Sequence, residues 1–161
     1  MLARQQAKGR APAIAHPALT DAETGLANGL HFDLVYSYLF AAGDRGLAFT
    51  VMLLSVGAPD SSSKDRPKAI GQKIRSVTRD ADLVAHVGGG RYVVLLLGTN
   101  LPGARIAADR LEIALGDLTT SRPSFGIVAY NRSMKESSEL LEAADRALVA
   151  AQEAGGGVEL G

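Results

Sequence analysis

Three consecutive glycines, Gly88, Gly89 and Gly90, stand between two runs of β-forming residues, Leu83-Val84-Ala85-His86-Val87 and Arg91-Tyr92-Val93-Val94-Leu95-Leu96-Leu97. Glycine reverses a chain without steric cost, so the pattern predicts a β-hairpin, and an isolated hairpin needs other elements to cover it. The apolar run 48–56 is of strand length, rich in branched residues and flanked by glycine, and reads as the centre of a sheet. Ser124-Phe125-Gly126-Ile127-Val128-Ala129-Tyr130 reads as a further strand.

Helical spacing fills the intervals. Leu30, Leu34, Val35, Tyr38 and Leu39 predict an amphipathic helix over 30–40 that stops near Gly43 and turns this stripe to the core. Ile70, Ile74 and Val77 predict a helix from about Lys68 to Arg79, after a polar loop over 57–67. Pro102 opens a helix through Ala104, Ala107, Ala108, Leu111 and Leu115, and residues 135–154 form the last one. Near the beginning, Thr20-Asp21-Ala22-Glu23 has the form of a helix start, with Thr20 as cap and Glu23 completing a capping box. Residues 1–19, interrupted by Pro12 and Pro17, read as a flexible linker, and the domain as 20–161. The order helix, strand, helix, hairpin, helix, strand, helix implies an α/β sandwich with a mixed sheet of at least four strands and a short extra hairpin near the end.

Composition removes several classes of function. A length of 161 residues suits one domain with a core of its own. Lys and Arg together number 17, as do Asp and Glu, so no global field draws the chain to nucleic acid or to an anionic membrane. Cysteine is absent, which excludes disulfides, thiol nucleophiles and cysteine-ligated metals. The longest apolar candidate, 47–54, is far shorter than the roughly 20 residues of a membrane span, and no secretory apolar segment follows the basic N-terminal run, so a cytoplasmic protein is expected. His16, His31 and His86 lie in separate contexts and form no metal-ligand motif. Ser124 lacks both a nucleophile-elbow setting and an identifiable base.

Asp21-Ala22-Glu23-Thr24-Gly25-Leu26-Ala27-Asn28, followed by Phe32, resembles an entrance motif Asp-x-Leu-Thr-Gly-Leu-x-Asn in which Glu23 replaces the first leucine. Ala144-Asp145-Arg146-Ala147-Leu148 resembles a closing Ala-Asp-x-Ala-Leu motif, and Ser124-Phe125-Gly126-Ile127 a penultimate strand. Found in this order around the glycine hairpin, these fragments make residues 20–157 similar to the GGDEF, or diguanylate cyclase, family. The resemblance implies a GGDEF-like sandwich, with a mixed, mostly antiparallel sheet flanked by helices and related to the palm domains of nucleotidyl cyclases. Active members join two GTP molecules into cyclic di-GMP, one GTP on each subunit of a face-to-face pair, with divalent metal held by carboxylates.

In the same alignment the catalytic pattern is lost. Gly88 and Gly89 match the first two signature glycines, but Gly90, Arg91 and Tyr92 take the places of acidic, acidic and phenylalanine residues. Ser55 and Gly57 fall where active relatives carry an Asp-x-Asp pair, and the segment that follows is shorter and lacks the Asn-Asp and Gly-His-x-x-Gly-Asp elements that recognise guanine and shape the phosphate pocket. Asp60 and Asp65 do not have the spacing of replacement ligands and read as a solvated loop. Magnesium needs hard oxygen ligands, and Arg91 instead offers a cation that can neutralise a phosphate directly. The resemblance thus implies a degenerate, noncatalytic member with no metal, no cofactor and no catalytic residue.

One ligand motif survives. Arg79 and Asp82 match the family's Arg-x-x-Asp inhibitory site, which binds cyclic di-GMP. An arginine fork suits guanine-edge or phosphate acceptors, and a carboxylate accepts from guanine nitrogens. Arg105 and Arg110, on the helix after the hairpin, are further candidates for this site. The plain alternative is a salt-bridged helix end. Expected partners are cyclic di-GMP and a second copy or another signalling protein. A structural or dimerisation domain without nucleotide, and a cyclase of altered substrate, are the competing functions.

Overall fold

In the computed structural model, residues 16–57 and 66–161 are described. A 3-10 turn at Pro17–Leu19 precedes α1 (Gly29–Gly43), β1 (Phe49–Ser55), α2 (Arg66–Val77), β2 (Leu83–His86), β3 (Arg91–Leu97), α3 (Leu101–Leu115), β4 (Ser124–Ala129), α4 (Ser137–Glu153) and β5 (Gly157–Leu160). The strands form one sheet in the order β2-β3-β1-β4-β5, antiparallel except for the β4–β5 pair. This is the mixed, mostly antiparallel sheet flanked by helices that the resemblance implied. Among the described residues no helix is long and apolar enough to cross a membrane.

Strand β1 lies third of five and is covered on both faces, which explains its nearly unbroken apolar sequence. Period-two alternation divides it. Met52 and Leu54 join Ile70, Ile74, Leu111 and Phe125 under α2 and α3, whereas Phe49 and Val51 join Phe32, Tyr36, Leu140 and Ala144 under α1 and α4. The hairpin forms as expected, with Leu83 opposite Leu95 and His86 opposite Tyr92.

Three expectations change. Residues 20–23 do not start a helix. Asp21 Oδ2 accepts from the Thr24 amide at 2.9 Å and from Thr24 Oγ1 at 2.7 Å, and Gly25 N donates to Asp21 O at 2.8 Å. These bonds bend residues 20–27 into a turn closed by a Thr20–Ala27 bridge. Helix α1 begins only at Gly29, capped by Asn28, whose side chain accepts from His31 N. Asn28 also holds the expected linker end, donating from Nδ2 to Ala18 O at 2.9 Å.

The face of α1 is the second change. Phe32, Tyr36 and Leu39 are buried, while Leu30, Leu34 and Tyr38 are 52%, 57% and 74% exposed. The core selects the aromatic stripe because it completes a ring cluster: Tyr36 meets Phe49 edge-on at 6.4 Å, and Phe49 stacks on Tyr130 at 5.2 Å. The third change lies near the end of the chain. Instead of an extra hairpin, α4 crosses over the sheet and delivers the single strand β5 parallel to β4, with Gly157 beside Ser124.

Candidate functional site

The end of β1, the tip of the hairpin and the start of α2 converge at one end of the sheet. Register places Ser55 opposite Arg91 on one side and Ser124 on the other. The backbones then close directly, with Val56 N donating to Gly90 O at 2.9 Å. A Cβ built at Gly90 would stand 1.9 Å from the carbonyl oxygen of Gly57, so only glycine fits there. Gly88 and Gly89 take positive φ angles of 104° and 55°, the conformation needed to turn the chain before this approach.

No metal centre fits these positions. The Ser55 hydroxyl is buried and accepts from Gln152 Nε2 at 3.2 Å. Gly57 and Gly90 offer backbone already in mutual contact, and Arg91 offers a cation, paired with Asp145 at 3.6 Å. Both members of that pair are about half exposed, and such pairs contribute at most about 1 kcal/mol. Among the described residues no three His, Asp or Glu side chains are placed to hold a metal ion. Asp60 and Asp65 lie outside the described residues.

Around the closed tip, polar groups are satisfied within the chain. Tyr92 is buried and donates from its hydroxyl to Pro67 O at 2.9 Å, fastening β3 to the first turn of α2. Burial, with Glu23 and Asp21 adding negative charge nearby, pushes its phenol well above the ordinary value. A shallow pocket remains between Val56, Pro67, Tyr92 and the Gly89–Gly90 backbone, with Arg66 at its wall. His86 is 2% exposed, with Nδ1 3.0 Å from Asp21 Oδ2 and Nε2 2.8 Å from Gly89 O. Burial raises the Asp21 carboxyl, but bonds from Thr24 and His86 and the charge of the imidazole outweigh it, holding Asp21 below its ordinary 3.8.

The Arg-x-x-Asp pair lies at the other end of the hairpin, between α2 and β2. Structure joins Arg79 and Asp82 and gives them unequal tasks. The Asp82 carboxylate is 2% exposed and accepts from Arg79 N, Arg79 Nε, Arg79 Nη2 and Leu97 N at 3.1–3.3 Å. Arg79 is 61% exposed, and its Nη2 also donates to Leu97 O and Thr99 Oγ1, each at 2.6 Å. Asp82 therefore anchors an arginine whose flank faces solvent. Arg105 pairs with Asp109 at 3.4 Å, and Arg110 is exposed about 140° further around α3. Among the described residues, no hydrogen bond or ion pair joins either of them to Arg79 or Asp82.

The His86–Asp21 and Arg91–Asp145 pairs escaped sequence reasoning because they span 65 and 54 positions and belong to different motifs. The one available signal was His86 itself, a lone imidazole within an apolar hairpin strand, where a buried polar group needs partners.

Comparison with known proteins identifies a family and a fold. The family described as "Diguanylate cyclase, GGDEF domain" matches residues 68–157. Diguanylate cyclase A of Treponema denticola is 28% identical over 94 residues, covering 53% of this chain and 25% of its own length. Cyclic di-GMP phosphodiesterase NbdA of Pseudomonas aeruginosa is 33% identical over 144 residues, 80% of this chain and 18% of that protein. The chain thus spans a quarter or less of the curated relatives it matches. Among solved structures, the GGDEF domain of DgcB from Caulobacter crescentus, in complex with c-di-GMP, superposes with a TM-score of 0.78 at 16% identity, covering 91% of this chain and 96% of that one. The FimX GGDEF domain from Pseudomonas aeruginosa gives a TM-score of 0.73 at 15% identity over 88% and 97%. At these identities the shared property is the fold.

Proposed function

This chain belongs to the GGDEF domain family, and from that premise we propose that it is a catalytically silent member that works by binding, as a regulatory module of cyclic di-GMP signalling. The observation that carries this reading is the direct approach of Gly90 to the Gly57 carbonyl, at two positions that the family resemblance assigns to carboxylates. Phosphoryl transfer needs positive charge held at the triphosphate, and here the hard oxygen ligands for magnesium are replaced by a closed backbone contact and a paired arginine.

Binding is assigned to Arg79, with Asp82 as its positioning residue. An exposed guanidinium whose inner edge is fixed on a buried carboxylate is preorganised for a guanine edge or a phosphate, so little side-chain entropy is lost on contact. The GGDEF domain of DgcB, described in complex with c-di-GMP, has the same fold. Calorimetric titration with cyclic di-GMP tests the assignment. Binding detectable at about 100 μM ligand, and lost in Arg79→Ala, is the expected result; no binding by the folded protein overturns it. Incubation with GTP and magnesium or manganese is expected to yield no cyclic dinucleotide, and product formation would refute the silent-member reading.

A second reading, a protein-interaction module without nucleotide, is favoured by the burial of Asp82, whose acceptors are taken up inside the chain. Failure of the titration together with retained self-association or partner binding selects it.

A further inference from the structure

We infer that His86 is a proton-dependent clamp tying the entrance turn at 20–27 to the hairpin tip at 87–90. The buried imidazole lies between two acceptors, the Asp21 carboxylate on Nδ1 and the Gly89 carbonyl on Nε2. A neutral imidazole carries one N–H and satisfies one of them; the imidazolium donates to both. The ring therefore closes both bonds only with its second proton, and losing that proton frees either the turn or the tip.

The surroundings fit a clamp. On the turn side, Asp21 is held ionised by the Thr24 amide and hydroxyl, so it stays an acceptor well into the acid range. His86 N also donates to Ala27 O at 3.0 Å, which keeps the strand beside the turn whatever the ring does. On the tip side, Gly89 precedes the residue whose carbonyl accepts from Val56 N, so movement of the tip reaches the end of β1. Ionisable groups on the segments packed against β2 include Glu23 in the turn, Arg91 and Tyr92 on β3, His31 on α1 and Arg66 on α2. Of these, Tyr92 touches the ring, with centroids 4.8 Å apart, and burial keeps its phenol neutral. None of the five donates to or accepts from the imidazole nitrogens.

This device is independent of whether cyclic di-GMP binds at Arg79. It would make the join between the domain's entrance and its hairpin tip depend on whether this one imidazole carries its second proton. Nuclear magnetic resonance on the full chain tests it directly. Between about pH 5 and 8 the Thr24, Gly89 and Gly90 amide signals are expected to move with the same midpoint as the His86 ring carbons. Exchange of the Val56 and Arg91 amides, which bond to Gly90 O and Gly88 O, should accelerate about tenfold beyond the intrinsic pH effect as the ring loses its proton. His86→Arg supplies permanent donors and should hold these signals at their low-pH positions across the range. Tip and turn signals that stay still while His86 titrates, or a ring that keeps one protonation state and tautomer throughout, would overturn the inference. The wild-type titration decides the matter even if the variant fails to fold.

Discussion

At Gly90, a single missing Cβ lets the hairpin tip reach the end of β1, and the cost of restoring a side chain there is steric. Gly90→Asp is expected to lower stability by about 1–3 kcal/mol in urea unfolding and to gain no magnesium affinity, because the new carboxylate must displace the Gly57 carbonyl before it can reach a metal. Asp82 and Arg79 are coupled in folding and differ in exposure. Asp82→Ala leaves the Leu97 amide without its acceptor, and Arg79→Ala leaves the buried Asp82 carboxylate without its cation, so each should cost about 1–3 kcal/mol, with only Arg79→Ala removing a group that faces the ligand directly. Asp21 sets the acid behaviour. Its folded pKa is depressed, so its contribution is present above the unfolded value of about 3.8 and is lost as pH falls through the folded one. Asp21→Asn should therefore flatten the acid limb of a plot of unfolding midpoint against pH between about 2 and 5.

Elements were legible in the sequence where one pattern dominated. The hairpin, the central strand and the last two helices have unambiguous periodicity or punctuation, and local chemistry decides such segments. Helix α1 shows the limit, because it carries two apolar stripes. Periodicity detects the helix, but the choice between Leu30/Leu34/Tyr38 and Phe32/Tyr36/Leu39 depends on which stripe matches the rings of Phe49 and Tyr130, two residues far along the chain. The assignment has a simple check by thermal or urea unfolding. Leu39→Ala is expected to cost about 2–5 kcal/mol and Leu34→Ser less than about 0.5 kcal/mol. The turn at 20–27 misled for a related reason: Thr20 and Glu23 have capping-box spacing, yet Asp21 takes the Thr24 amide and bends the chain before a helix can start.

Over the whole molecule, two cores pack on opposite faces of one sheet, and residues 157–161 are part of that sheet. Strand β5 covers the free edge of β4 and continues it through Gly161 N to Ile127 O. Removing residues 157–161 should lower the melting temperature and promote association, seen by circular dichroism and size-exclusion chromatography, because a buried-type strand would be left with an unpaired edge. What the sequence alone determined is the inventory: an α/β domain, a glycine hairpin, the order of its elements from the first long helix to the last, and the residues Ser55, Gly57, Gly90 and Arg91 that meet at the hairpin tip. These are matters of residue identity and short-range spacing. Only the tertiary structure decided that Gly57 and Gly90 touch, that Asp82 is consumed as an anchor while Arg79 faces solvent, and that His86 bridges Asp21 to Gly89. Those outcomes depend on strand register and on contacts between segments tens of residues apart, where packing selects the partners that local pattern leaves open.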